Sequence, residues 1–196
     1  MSMSYKILEC EKCGYTASEF SLWGRRAYRV DGLDIPMYVR FGWCARCEEL
    51  LAIESFEDAD TTLKEVEEAR ADLRRHLDSP LAPLLGLLLP GRRKAMAYAM
   101  ERLHIGTRRL HIIARRRGTE RCLSCGSREV VPFEGNMDLP YDLMSRSYLG
   151  LRLTGFVHPG CGGIFFAKPS GVCINMVMPR RWYDFDGLLI EEKWPQ

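Results

Sequence analysis

Cys10-Glu11-Lys12-Cys13-Gly14 is the stretch from which the fold can be read. Two thiols three residues apart on a tight turn lie on one side of the backbone, where they can grip one tetrahedral ion. The glycine directly after them supplies the backbone freedom with which the chain folds back under a metal. A four-coordinate structural site needs two such turns, and the rest of the chain holds three more. These are Cys44-Ala45-Arg46-Cys47, Cys122-Leu123-Ser124-Cys125-Gly126 and His158-Pro159-Gly160-Cys161-Gly162.

Eight cysteines occur in 196 residues. At that frequency roughly 0.3 C-x-x-C pairs arise by chance, and three are present. The stretch Met1-Ser2-Met3-Ser4-Tyr5-Lys6 has no apolar h-region, which predicts a cytoplasmic protein with reduced thiols. A redox reading of the pairs wants one pair opening a helix in a βαβ unit, and no such unit is legible. Metal binding is the stronger reading.

Taken in sequence order, Cys10, Cys13, Cys44 and Cys47 make one site; the 30 residues between the pairs hold two or three short strands. Cys122, Cys125, His158 and Cys161 make the other, since neutral imidazole is an ordinary zinc ligand. Cys173, in an apolar strand, reads as a small core residue and would replace His158 only if the histidine were no ligand. With four protein ligands each, both sites read as structural rather than catalytic.

Composition divides the chain into residues 1–56, 57–118 and 119–196. In the first part, Tyr28-Arg29-Val30 and Met37-Tyr38-Val39-Arg40-Phe41 read as strands around an Asp31-Gly32 turn, followed by Leu50-Leu51-Ala52-Ile53. In the second, Leu63, Val66, Leu73 and Leu77 fall on one helical face, with Thr62 and Glu65 resembling a capping box and Ser79-Pro80 as the stop. A further helix after Pro90-Gly91 carries Met96, Met100, Leu103, Leu110 and Ala114, with Gly106 a weak point. In the third, strands are expected from Tyr148 to Phe156, Ile164 to Ala167 and Val172 to Met178, then a turn at Asp186-Gly187. The expected class is α+β: two small β-modules, each holding zinc, flanking a helical hairpin.

These knuckles resemble those of the zinc-ribbon superfamily, in which two of them on β-hairpins clamp one zinc. The resemblance covers residues 5–55 and 120–178 and departs at Glu48, where a glycine would complete the knuckle, and at His158. It implies two structural zinc ions per chain. Ribbons serve transcription, translation, nucleic-acid enzymes and protein docking, so it fixes no function.

The apolar share of 46% and charged share of 28% fit an ordinary globular protein, and no apolar run is long enough to span a membrane. Charge is uneven: Glu54–Asp78 is acidic, whereas Arg92–Arg117 carries nine cations and one carboxylate. The simpler expectation lays the basic helix beside the acidic one. The surplus leaves Arg108, Arg109, Arg115 and Arg116 as candidates for nucleic acid. His76, His104 and His111 read as polar surface. Six leucines between Leu81 and Leu89 point either to a fold-back onto the core or to a homodimer, the latter favoured. No G-x-S-x-G, H-E-x-x-H, P-loop or G-x-G-x-x-G occurs, and Asp184 with Asp186 is spacing alone. The sequence therefore predicts a non-enzymatic zinc protein that docks onto a protein or nucleic-acid partner. The alternative is a component of a nucleic-acid-processing enzyme.

Overall fold

The computed structural model describes residues 3–78, 89–174 and 177–195. Among the described residues it is α+β: thirteen strands, a 3-10 turn (Glu19–Leu22) and two long helices, with the helices in the middle of the chain. The strands are β1 (Met3–Cys10), β2 (Thr16–Ser18), β3 (Arg25–Val30), β4 (Leu33–Pro36), β5 (Val39–Cys44) and β6 (Glu49–Glu54). After helices α1 (Ala59–Leu77) and α2 (Pro90–Arg116) come β7 (Val130–Pro132), β8 (Tyr141–Asp142), β9 (Ser147–Tyr148) and β10 (Arg152–Val157). The chain ends with β11 (Ile164–Ile174), β12 (Arg180–Tyr183) and β13 (Leu189–Lys193).

Pairing joins the two ends of the chain. One sheet runs β10-β11-β1-β2, another β13-β12-β3-β4 and a third β6-β5-β7, with β8-β9 apart. Strand β1 lies antiparallel to β11, placing Cys10 opposite Phe165, and β3 lies parallel to β12. Each large sheet thus mixes strands from before and after the helices. An apolar core follows the same pattern: Leu8, Phe41 and Trp43 pack with Phe133, Phe156 and Phe165. Asp31-Gly32 does make the predicted turn, with φ of 52° and 76°, but its second strand is β4 rather than the Met37–Phe41 run. The Asp186-Gly187 turn is also present, and Asp184 spends its carboxylate there, accepting the Leu188 N–H at 2.8 Å.

The helices are found where expected, but each stripe is rotated. In α1 the buried residues are Thr62 and Ala69, while Leu63 and Leu77 are about half exposed. The capping box is displaced as well: α1 begins at Ala59, and the Thr62 hydroxyl donates back to Asp58 at 3.0 Å. In α2 the buried residues are Ala99, Gly106, Arg109, Ile112, Ile113 and Arg116, not Met100 or Ala114. A hydrophobicity stripe assigns no arginine to the interior; here two go inside because carboxylates await them, Glu54 buried and Asp58 partly so. Helix α2 runs unbroken through Gly106, where a Cβ would stand 2.5 Å from Val66 Cγ2, so glycine is the residue that lets the helices touch. The six-leucine connection lies outside the described residues except for Leu89, which is half exposed. The side chain of Cys173 lies outside them too. No described helix is long and apolar enough to cross a membrane.

Candidate metal centres

Four short turns have the same build. In each, the N–H of the residue after the second ligand donates to the carbonyl of the first: Gly14 to Cys10 (3.0 Å), Glu48 to Cys44, Gly126 to Cys122 and Gly162 to His158 (2.8 Å each). The donor residue is left-handed every time, with φ of 71°, 56°, 73° and 74°. Glycine takes this conformation without strain, and Glu48 takes it against the preference of an L side chain. His158 therefore occupies a true knuckle position, as its sequence context predicted.

The structure brings all eight predicted ligands into two clusters, but it exchanges the partners. Cys10 and Cys13 meet His158 and Cys161, while Cys44 and Cys47 meet Cys122 and Cys125. The sites drawn by sequence order, Cys10/Cys13 with Cys44/Cys47 and Cys122/Cys125 with His158/Cys161, are corrected accordingly. The reason is strand pairing. Strand β11 follows the last knuckle and pairs with β1, which leads into the first; β5 enters the second knuckle and pairs with β7, which follows the third. Two pairs of equal chemistry carry no mark of which other pair they face, so spacing alone cannot assign them. The sites are nested: an inner one closes around the helical hairpin, and an outer one closes around the inner.

In the outer cluster Cys10 Sγ lies 3.4 Å from Cys161 Sγ, and His158 Nδ1 lies 3.3 Å from Cys13 Sγ and 3.1 Å from Cys161 Sγ. In the inner cluster Cys44 Sγ lies 3.6 Å from Cys125 Sγ and Cys47 Sγ 4.0 Å from Cys122 Sγ. A tetrahedral ion with Zn–S of ~2.3 Å and Zn–N of ~2.0–2.1 Å separates its donors by about 3.5–3.8 Å. Both donor sets fit such an ion, and within each the four ligand atoms all lie within 4.8 Å of one another.

The thiols differ electrostatically. Burial acts to raise the Cys10 pKa, but the backbone N–H groups of Cys13 and Lys12, helped by Cys161 and His158, bring it down to about 6. In the inner site burial pushes Cys122 up to about 11 and, with the Cys125 and Cys44 thiols, pushes Cys47 well above its ordinary value. His158 is 5% exposed and boxed by Tyr15, Trp43 and Phe165, with ring centroids 5.3, 4.6 and 5.1 Å away. Its Nε2 is buried without a hydrogen-bond partner, which leaves Nδ1 as the atom directed at the thiols. Sequence reading missed this box, although Tyr15 directly follows one knuckle and Trp43 directly precedes another. Gly163 completes the fit: a Cβ there would stand 2.8 Å from Cys10 Sγ.

The arginines proposed for nucleic acid are placed differently from expectation. Arg116 is 4% exposed and grips Glu54 bidentately at 2.6 and 2.7 Å, while Glu54 also accepts the Tyr28 hydroxyl (2.8 Å) and the Arg121 N–H (2.9 Å). Arg109 is 2% exposed and donates to Asp58 at 2.7 and 3.1 Å and to the Ser55 carbonyl at 2.8 Å. These two are corrected from surface candidates to buried anchors that hold α2 on β6 and the start of α1. Arg108 pairs with Asp31 at 3.1 Å, and Arg102 reaches Glu68 and Asp72 of α1 at 3.4 Å. Only Arg115 of the four predicted residues is exposed and without an ion pair among the described residues. No protein-family model, curated protein or solved structure matches the chain, so the metal centres stand on their own geometry.

Proposed function

We propose that this is a non-enzymatic zinc protein whose two structural ions fix a scaffold for docking a protein or nucleic-acid partner. The supporting observation is that each cluster offers four donors at tetrahedral spacing from two knuckles of the same build. With every coordination position taken by protein, an ion there has no vacant position for water or substrate and serves structure. Soft thiolates with one imidazole favour zinc over magnesium, calcium or manganese. The test is elemental analysis of the purified chain. Two zinc ions per chain are expected; one ion, none, or iron with a visible chromophore would refute the proposal. Retention on heparin with a steep salt dependence would then assign the docking partner to the polyanions, and passage without retention would assign it to proteins.

A further inference from the structure

The register of the β13-β12-β3 sheet brings three cations into line. Arg180 stands opposite Arg25 on one side and opposite Lys193 on the other. Residues in register point to the same face, and adjacent strands lie about 4.8 Å apart. All three side chains are exposed, whereas Arg26 and Tyr28, on the other face of β3, are buried. Like charges directly opposite one another are destabilising, and the carboxylates of this face make their direct ion pairs elsewhere, Asp34 attracting Arg180 only at longer range. Asp34 and Glu191 both pair with Arg29, which stacks 4.4 Å over the Trp182 ring, and Asp34 also takes the Trp182 indole N–H at 2.7 Å. Arg25, Arg180 and Lys193 have no ion pair among the described residues.

Beside this row stands an aromatic platform. Trp194 is 56% exposed, and its indole N–H is fixed to Glu192 at 3.0 Å. It lines a shallow hollow of about 570 Å³ with Arg180, Lys193, Trp182 and the Arg29–Glu191 ion pair. A second hollow of about 370 Å³, lined by Arg25, Pro36 and Met37, adjoins it and shares Arg180 and Trp182. Together they make an open track across the sheet, cationic along one row and offering an exposed indole ring at one end. A single strand of nucleic acid matches both features, because it carries phosphates in series and bases whose faces are free to stack. A duplex keeps its base faces hidden.

We propose that this sheet face binds single-stranded nucleic acid, with phosphates on the Arg25–Arg180–Lys193 row and a base stacked on Trp194. The proposal deepens the docking reading above by naming the partner class and the surface, which is not the basic helix.

The test uses the full-length zinc-loaded chain and fluorescein-labelled twelve-nucleotide dT and rU oligomers, with a duplex of equal length, followed by anisotropy at several salt concentrations. Three phosphate contacts predict that R25A/R180A/K193A lowers the slope of log K against log salt by about 2. Trp194→Ala is expected to weaken binding by about 5- to 150-fold at unchanged slope. Single strands are expected to bind more tightly than the duplex. Three results would overturn the inference: no binding by the unaltered chain, equal binding of the duplex together with a silent Trp194→Ala, or loss of binding in R93A/K94A/R115A/R117A but not in the row variant. Metal counts on each protein, measured beside the isotherms, decide the zinc reading independently. A chain with two zinc ions and no oligomer binding overturns this inference and leaves docking to a protein partner standing.

Discussion

Replacing Cys122 by serine separates the nested arrangement from the one that sequence order predicts. In the nested arrangement Cys122 shares its ion with Cys44, Cys47 and Cys125, so Cys122→Ser leaves an ion held by Cys10, Cys13, His158 and Cys161. Adding His158→Ala then removes the last ion, whereas adding Cys44→Ser changes nothing further. Were the sites built in sequence order, the outcomes would exchange: Cys122→Ser/His158→Ala would keep one ion and Cys122→Ser/Cys44→Ser none. The stability cost follows from the loop that the ion closes. Cys47 and Cys122 are 75 residues apart, and treating the ion as a cross-link gives about 4.5 kcal/mol of loop-closure stabilisation. For a chain of this size that corresponds to a fall in Tm of roughly 10–20 °C, large beside a typical stability of about 5–15 kcal/mol. Native mass spectrometry counts the ions and calorimetry gives Tm. One ion retained in Cys122→Ser/His158→Ala would refute the nested arrangement.

The two sites should also respond differently to acid. A raised thiol pKa keeps the proton on and makes it compete with the metal, so a site of raised thiols binds less tightly as pH falls from 8 to 6. In the outer site Cys10, lowered to about 6, is ionised over most of that window and Cys161 is shifted upward. In the inner site Cys47 and Cys122 are both shifted upward and Cys125 alone downward, so the inner site carries more protons to displace. Zinc affinity of Cys10→Ser, which keeps the inner site, should therefore fall more steeply with acid than that of Cys122→Ser; equal slopes in zinc titrations would contradict this. Glu54→Gln leaves the Arg116 guanidinium buried without its counter-charge and should cost about 3–5 kcal/mol in urea unfolding; a loss below about 1 kcal/mol would show that the pair is not isolated from water. Glu48→Gly removes a left-handed L residue, which is worth about 1–2 kcal/mol, at an entropic cost of about 0.4–1 kcal/mol. A net gain of about 0.5–1 kcal/mol is expected by calorimetry, with two ions retained, and a lower Tm would count against the shared knuckle geometry.

What was legible in the sequence is local. A knuckle is a five-residue device whose ligands and turn sit side by side, closed by glycine in three cases and by Glu48 in the other, so all four could be found, including the one with histidine in first position. The helices and the Asp31-Gly32 turn are local in the same sense. Long-range partnership left no such trace. Nothing in Cys10-Glu11-Lys12-Cys13-Gly14 distinguishes His158 from Cys44 as its counterpart; that choice is made by β1 against β11, strands separated by most of the chain. The helix faces went astray for a related reason. Arg109 and Arg116 look like solvated charge until Asp58 and Glu54 are known to lie against them. Counting charge along α2 likewise drew attention away from Arg25 and Arg180, which are far apart in sequence and adjacent only through the parallel pairing of β3 and β12.

Nesting would also tie two ions held in these clusters to each other. Cys13 and His158 are 145 residues apart, but once the inner ion has closed its own 75-residue loop only about 70 residues remain to be ordered by the outer one. Loop-closure entropy alone makes that difference about 0.6 kcal/mol, or roughly three-fold in the affinity of the outer site, and by linkage the inner site gains as much from the outer. Packing acts in the same direction. Trp43 precedes the inner ligand Cys44 and presses its ring on His158 of the outer site, while Tyr15, beside the outer knuckle, takes the Leu50 N–H of β6 on its hydroxyl at 3.0 Å. Loading one site therefore orders residues that the other must hold. The helical hairpin, closed at its base by the inner cluster and anchored by Arg109 and Arg116, is fixed to the same frame as the β3-β12-β13 face.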